Sequence, residues 1–193
     1  FFINEDWFGW DNGSLNFLDK NGKMIYRAFR RENGNTETLG ITTQFGCIYG
    51  DNFYFISKQA KTSPDAKSGG RLVIADARTL KKKIAFDEIG GGDGRSFLGV
   101  NEKTGYIGAA NGIFVFDMEN FKLGDIIEGT GKGSTYEGQI GIMIRTGEYV
   151  FAAKQNTGVL VIDPDKNEIK TTIDLPQIST ITMSKDGYIL SLI

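Results

Sequence analysis

Four stretches of the chain repeat one pattern of apolar and polar positions: "GSLNFLD" ending at Asp19, "GRLVIAD" at Asp76, "GIFVFD" at Asp117 and "GVLVID" at Asp163. Each sets a Gly before a run of Leu, β-branched or aromatic residues and closes it with an Asp that opens a polar turn. That is the pattern of a short strand feeding a turn. A second landmark recurs in phase with the first. A Gly-containing turn leads into an aromatic strand at four places: Gly50 before Phe53, Gly105 before Tyr106, Gly147 before Tyr149 and Gly187 before Tyr188.

Between these landmarks the chain reads as strands at 1–4, 13–19 and 24–29, then a polar loop at 30–40. Strands follow at 45–49, 53–56, 71–75 and 83–86, at 96–100, 106–108, 113–116 and 122–127, at 140–144, 149–153, 159–162 and 168–173, and at 179–183 and 188–193. Four short strands per ~40–50 residues is the period of a β-propeller blade. No segment keeps a helical 3,4 periodicity for long. The pattern predicts an all-β chain, a single β-propeller over 1–193 built of four-stranded antiparallel blades. The repeats fall approximately at 1–40, 41–92, 93–135, 136–177 and 178–193. A β-sandwich is the competing architecture, since it too spaces short strands regularly.

Phase adds an expectation. Tyr188-Ile189-Leu190 takes the same place in the repeat as Phe1-Phe2-Ile3, so one strand type occurs at both ends. Duplicate ends do not complete one blade, and unpaired terminal strands are sticky edges. About four blades plus part of a fifth, belonging to a larger ring, is the expected arrangement; a four-bladed ring with an adjusted seam is the alternative.

Composition narrows the function classes. The formal net charge is −2 and the basic residues are scattered, against the basic patch of a nucleic-acid binder. No apolar run approaches the ~20 residues of a membrane-spanning helix. With no His in the chain, histidine-ligated zinc and Ser-His or Cys-His nucleophile pairs are excluded within it. No cofactor is called for. Cys47 alternates with Phe45 and Tyr49 and reads as an inert buried thiol.

In a propeller, the loops joining second to third strands and those joining successive blades open on one face. The first kind gathers Glu5, Asp6, Trp7, Phe8, Trp10, Asp11 and Asn12, then Lys58 with Gln59, Asn111, and Lys154 with Gln155 and Asn156. The second kind gathers Thr43, Gln44, Asp93, Arg95, Ser96, Tyr136, Gln139 and Gln177. Amides, hydroxyls, aromatic faces and a few cations suit reversible binding of a polar molecule with flat surfaces. The ligand-binding candidates are therefore Trp7, Phe8, Trp10, Asp11, Gln44, Lys58, Gln59, Arg95, Gln139, Lys154 and Gln155. The tryptophan cluster either caps the first blade or meets a ligand, since indole rings seek cover. Lys58-Gln59 and Lys154-Gln155 read as one repeat position.

Other motifs are weaker. "GTGKGST" at 129–135 lacks the Gly-Lys-Ser/Thr order of a phosphate loop, and Gly90 to Gly94 has no helix after it. Asp163-Pro164-Asp165-Lys166-Asn167 resembles the start of a calcium loop, but Glu168 stands where the turn Gly belongs, so a hairpin turn is expected. Carboxylate-pair hydrolysis through Glu5, Asp6 and Asp11 is a formal option.

The stretches "FFINEDWFGWDNGSLNFLDKNG", "GGRLVIADARTLKKKIAFDEIGGGDGRSFLGV", "TGYIGAANGIFVFD" and "GVLVID" resemble the YncE-like β-propeller proteins of Bacteroidetes, a family of unknown function or putative surface-layer proteins. The resemblance implies exported lipoproteins with about seven blades, at the cell surface or in the periplasm. It also implies, for some members, corrinoid (vitamin B12) capture with transfer to an outer-membrane transporter. None of the family's ligand motifs maps residue by residue onto this chain. The expected function is thus a non-catalytic extracytoplasmic ligand-binding propeller. The alternatives are a protein-interaction scaffold of a surface complex and, less favoured, a carbohydrate-active enzyme.

Overall fold

A computed structural model describes residues 1–7, 10–131 and 138–192. The chain divides into two compact units, Phe1–Ile89 and Gly90–Ile193. The described residues form five antiparallel sheets, each a simple meander.

The first unit holds a three-stranded sheet of β1 (Phe2–Asn4), β2 (Ser14–Leu18) and β3 (Met24–Ile25), then a short helix α1 (Ala28–Asn33). A four-stranded sheet follows, in the order β4 (Ile41–Tyr49), β5 (Asn52–Gln59), β6 (Leu72–Asp76), β7 (Lys82–Phe86). The second unit repeats that sheet twice. One is built of β8 (Gly94–Gly99), β9 (Thr104–Ala109), β10 (Gly112–Asp117) and β11 (Lys122–Ile126). The next is built of β12 (Ile140–Thr146), β13 (Tyr149–Lys154), β14 (Gly158–Asp163) and β15 (Glu168–Asp174). The pair β16 (Thr180–Met183) and β17 (Ile189–Leu192) ends it. The competing β-sandwich is set aside by these successive meanders.

Two third strands are covered almost throughout: Leu72 to Ala75 on β6 and Val159 to Ile162 on β14 are all buried. Within the second unit, packed layers lie on both faces of β14, so its sequence runs apolar without alternation. In the second unit one core layer joins Tyr106 and Ile113 to Met143, Ala152, Leu160 and Ile162 of the next sheet. A second layer sets Ala153 and Val159 against Ile178 and Ile181. In the first unit, Leu15, Phe29 and Leu39 pack on Phe53, Phe55 and Val73. Fourth strands are open to solvent, as β15 shows along most of its length. First strands pack on one another, β8 on β12 and β12 on β16, which marks them as the inner strands of their blades.

The recurring motif has a physical cause at each end. Gly158 opens β14 at φ 130°, and a Cβ there would stand 2.0 Å from the Ile173 carbonyl oxygen. The closing aspartates cap the turns: Asp76 Oδ1 accepts from the Arg78 and Thr79 amides at 3.0 and 2.8 Å, and Asp117 Oδ1 from those of Glu119 and Asn120, both at 2.9 Å. Asp19 Oδ1 and Asp163 Oδ1 do the same with the amides of Asn21 and Asp165. The 163–167 segment is accordingly the expected hairpin turn.

Residues 24–33 differ from expectation. The strand ends at Ile25, Tyr26 and Arg27 form a turn, and Ala28–Asn33 is α1 instead of strand and loop. Tertiary packing decides this: Phe29 is buried and meets Phe55 edge-on at 5.9 Å. Asn33 Nδ2 fastens the helix end by donating to the Phe29 and Leu80 carbonyls, both at 2.8 Å.

Candidate functional site

In the first unit the segment between β1 and β2 carries the tryptophans. The Trp7 carbonyl accepts from the amides of Trp10 and Asp11 at 3.0 and 3.1 Å. Further along, the segment is strapped to the chain entering β4. Asn12 Nδ2 donates to the Leu39 carbonyl at 2.7 Å, the Gly13 amide to that of Gly40 at 2.8 Å, and Asn12 bridges Ile41. Trp7 and Trp10 are each 72% exposed, with ring centroids 6.2 Å apart and planes tilted by 40°. The rings thus lie in the open and do not cap the blade. Phe8 lies outside the described residues.

A cleft of about 180 Å³ is lined by Asp6 and Asp11, the chain neighbours of Trp7 and Trp10, with Asn12, Ser14, Arg27 and Arg30. Arg30 also reaches Thr38 Oγ1 at 3.4 Å. Sequence reasoning missed both arginines because it read their segment as strand and loop. No signal marked them: Arg27 stands outside α1 in a left-handed conformation, and a helix of 6 residues is too short to show a period.

The inner strands share a second feature. Thr43 pairs with Ser57 and Phe45 with Ile56, so Gln44 is an extra residue opposite none. In β8, Gly94 pairs with Ala109 and Ser96 with Gly108, leaving Arg95 in the same position. In β12 the shift falls between Ile140, paired with Lys154, and Met143, paired with Ala152. Each bulge starts opposite the equivalent residue of the second strand: Ser57, Ala109 and Lys154. A bulge of this kind bends its strand and re-aims the extra side chain. Gln44 and Arg95, both half-buried, are the two long polar side chains so placed.

That register corrects the pairing of Lys58-Gln59 with Lys154-Gln155. Counting from Phe53↔Ala75 and Val150↔Ile162, Lys154 is equivalent to Ser57, one residue before Lys58. One step along a strand turns the side chain to the opposite face. Lys58 and Gln59 also belong to β5, not to the loop after it. Lys154 is 2% exposed, and its ammonium donates to the Thr130 carbonyl at 2.7 Å and lies 3.5 Å from that of Gly129. It fastens a turn whose Thr130 Oγ1 donates to the Ile127 carbonyl at 2.7 Å and accepts from the Ile113 amide at 3.0 Å. The glycine-rich stretch at 129–131 thus turns carbonyls toward a lysine, the reverse of a phosphate loop. Lys132 to Thr135 and Tyr136 lie outside the described residues.

Gln139 and Gln155 come together at the same sheet end, the Gln155 amide donating to the Gln139 carbonyl at 3.0 Å. Cys47 is half-buried rather than buried, and desolvation pushes its thiol up to about 12. Among the described residues no group of three or more Cys, Asp or Glu could hold a metal ion. Among them, too, no helix is long and apolar enough to cross a membrane.

The stacked antiparallel meanders, with inner first strands and open fourth strands, define a β-propeller. Residues 1–192 match the family model described as "Domain of unknown function (DUF5074)", and the chain belongs to that family. Solved structures share the fold. The WD40 β-propeller domain of Doa1 is 15% identical, with a TM-score of 0.59 over 78% of this chain and 47% of that one. The extracellular domain of the putative hybrid two-component system BT3049 from B. thetaiotaomicron is 13% identical, with a TM-score of 0.57 over 77% of this chain and 19% of that one. Kuenenia stuttgartiensis hydrazine synthase is 15% identical, with a TM-score of 0.59 over 91% of this chain and 48% of that one. The chain spans less than half the length of each. A search of curated proteins returns no match.

Proposed function

We propose that the chain serves as a non-catalytic, extracytoplasmic ligand-binding propeller that captures a small polar molecule, with a corrinoid as the leading ligand. The observation that carries this is the bulge repeated at one register in the inner strands, which takes Gln44 and Arg95 out of the ladder in their respective blades. A bulge bends its strand and fixes the direction of the extra side chain without a flexible loop. Gln offers both a donor and an acceptor, and Arg a fork of donors. These suit the peripheral amides of a corrinoid. The YncE-like resemblance supports the ligand and an outer-membrane transporter as recipient of the cargo. It also supports a lipid-anchored cell-surface or periplasmic location, as does the extracellular domain among the similar structures.

Titration of the full-length protein with cobalamin, followed by absorbance and heat, tests the reading. Saturable binding that weakens about tenfold or more in Gln44→Ala or Arg95→Ala, with thermal stability retained, is expected. No heat and no spectral change at micromolar protein removes the corrinoid.

A further inference from the structure

We propose that the cleft beside Trp7 and Trp10 binds a neutral saccharide, a site distinct from the bulged positions and independent of the corrinoid reading. Three observations converge on this class of ligand. The first is the exposed indole pair. Two neighbouring tryptophans, each with most of its surface bare and tilted so that neither stacks flat on the other, present apolar faces to any ligand with a matching face. Sugar rings have such a face, lined by C–H groups.

The second is the charge balance of the cleft. Asp6 and Asp11 oppose Arg27 and Arg30, so neither an anion nor a cation gains from the cleft as a whole. What the lining does offer is a dense mixture of acceptors on the aspartates, donors on the arginines, and both on Asn12 and Ser14. A hydroxyl donates and accepts at once, and a polyhydroxylated ligand can satisfy both sets without carrying charge.

The third is preorganisation. Asp6 and Asp11, which line the cleft, are the chain neighbours of Trp7 and Trp10. Asn12, itself in the lining, and Gly13 are strapped to Leu39, Gly40 and Ile41, which lowers the ordering cost of binding.

All indole emission of this chain comes from Trp7 and Trp10, and in full-length protein the part of the emission lost in Trp7→Ala and Trp10→Ala reports on the segment beside the cleft. Full-length protein is titrated with maltotriose, cellotriose, chitotriose and mannotriose at millimolar concentration, with adenosine as a flat, non-saccharide control. At least one trisaccharide is expected to change the emission saturably, with an affinity unmoved by added salt, since no net charge is neutralised. Calorimetry on Trp7→Ala and Trp10→Ala is expected to show affinity lower by about tenfold. Both rings are exposed, so these variants keep the β-sheet circular dichroism of the parent. Silence toward all four sugars overturns the proposal. So does an equal response to adenosine, an affinity that falls with salt, or binding that survives both substitutions. Cobalamin binding that persists in the two variants leaves the corrinoid reading standing whatever the sugars do.

Discussion

The Tyr106 hydroxyl donates to Asn167 Oδ1 across 2.6 Å, joining the second strand of one sheet to the hairpin turn of the next. Tyr106 is wholly buried, and its ring belongs to the core layer between those sheets. Burial, and secondarily the Asp163 carboxylate, pushes its hydroxyl up to about 12. Folded protein therefore holds this proton through the range where free tyrosine, near ~10, loses its own. Stability from this group is full below that ordinary value and is lost as pH rises toward the folded-state value. Spectrophotometric titration should show a late-ionising phenol that disappears in Tyr106→Phe. The same substitution should cost about 1 kcal/mol in urea denaturation, the net worth of one hydrogen bond.

The turn-capping aspartates predict the opposite slope in acid. Backbone and side-chain hydrogen bonds from Thr79, then the Arg78 amide, hold the Asp76 carboxyl below its ordinary value. The Asn120 side chain, then its amide, does so for Asp117. A depressed folded-state value gives stability that is present above the ordinary carboxylate value of ~3.9 and is lost as pH falls through the depressed one. Urea midpoints of Asp76→Asn and Asp117→Asn should lie below the parent's at neutral pH and converge with it in acid. Parallel curves would show that the charge plays no part in the cap.

The strands were legible because of how they are buried. A third strand covered on both faces leaves a continuous apolar run, and its ends need a Gly that tolerates close approach and an Asp that caps a turn. All three leave marks in sequence. α1 left none: its 6 residues are too few to show a period, and a single buried Phe29 holds it in place. The register error over Lys58 and Lys154 has the same root. Spacing along the chain sees repeats of residue type, whereas the bulge before Phe45 and the pairing of Lys154 with Gly158 are set by hydrogen bonds between strands. The open placement of Trp7 and Trp10 was equally invisible, since composition does not say what covers a ring.

Lys154 separates a structural role from a ligand role. Its ammonium serves the carbonyl of Thr130, itself a fully buried residue, so removing the donor strands an acceptor away from water. Lys154→Met keeps most of the side-chain volume and should still cost about 1–3 kcal/mol in denaturant unfolding. Lys58→Met, at the neighbouring register position on a half-buried residue, should cost less. Equal losses from the two would restore the equivalence that the strand register denies.

Two glycines with positive φ distinguish backbone conformation from close approach. Gly147, at φ 58°, has no heavy atom within 4 Å of where a Cβ would stand. Gly147→Ala therefore bears the left-handed penalty of about 1–2 kcal/mol and nothing more. Gly158 differs in both respects. Its φ of 130° lies outside the left-handed well, and the added methyl would stand 2.0 Å from the Ile173 oxygen and 2.5 Å from the Leu175 nitrogen. Both contacts are backbone, in β15 and the chain just after it, so neither can swing aside without breaking the ladder from Gly158 to Asp174. Gly158→Ala should be the more damaging by well over 1 kcal/mol, with strained backbone and lost pairing adding together. Thermal melts of the two variants side by side decide the matter. A Gly158→Ala protein as stable as Gly147→Ala would mean that the fourth strand yields readily, and that the Gly opening each repeat is there for flexibility alone.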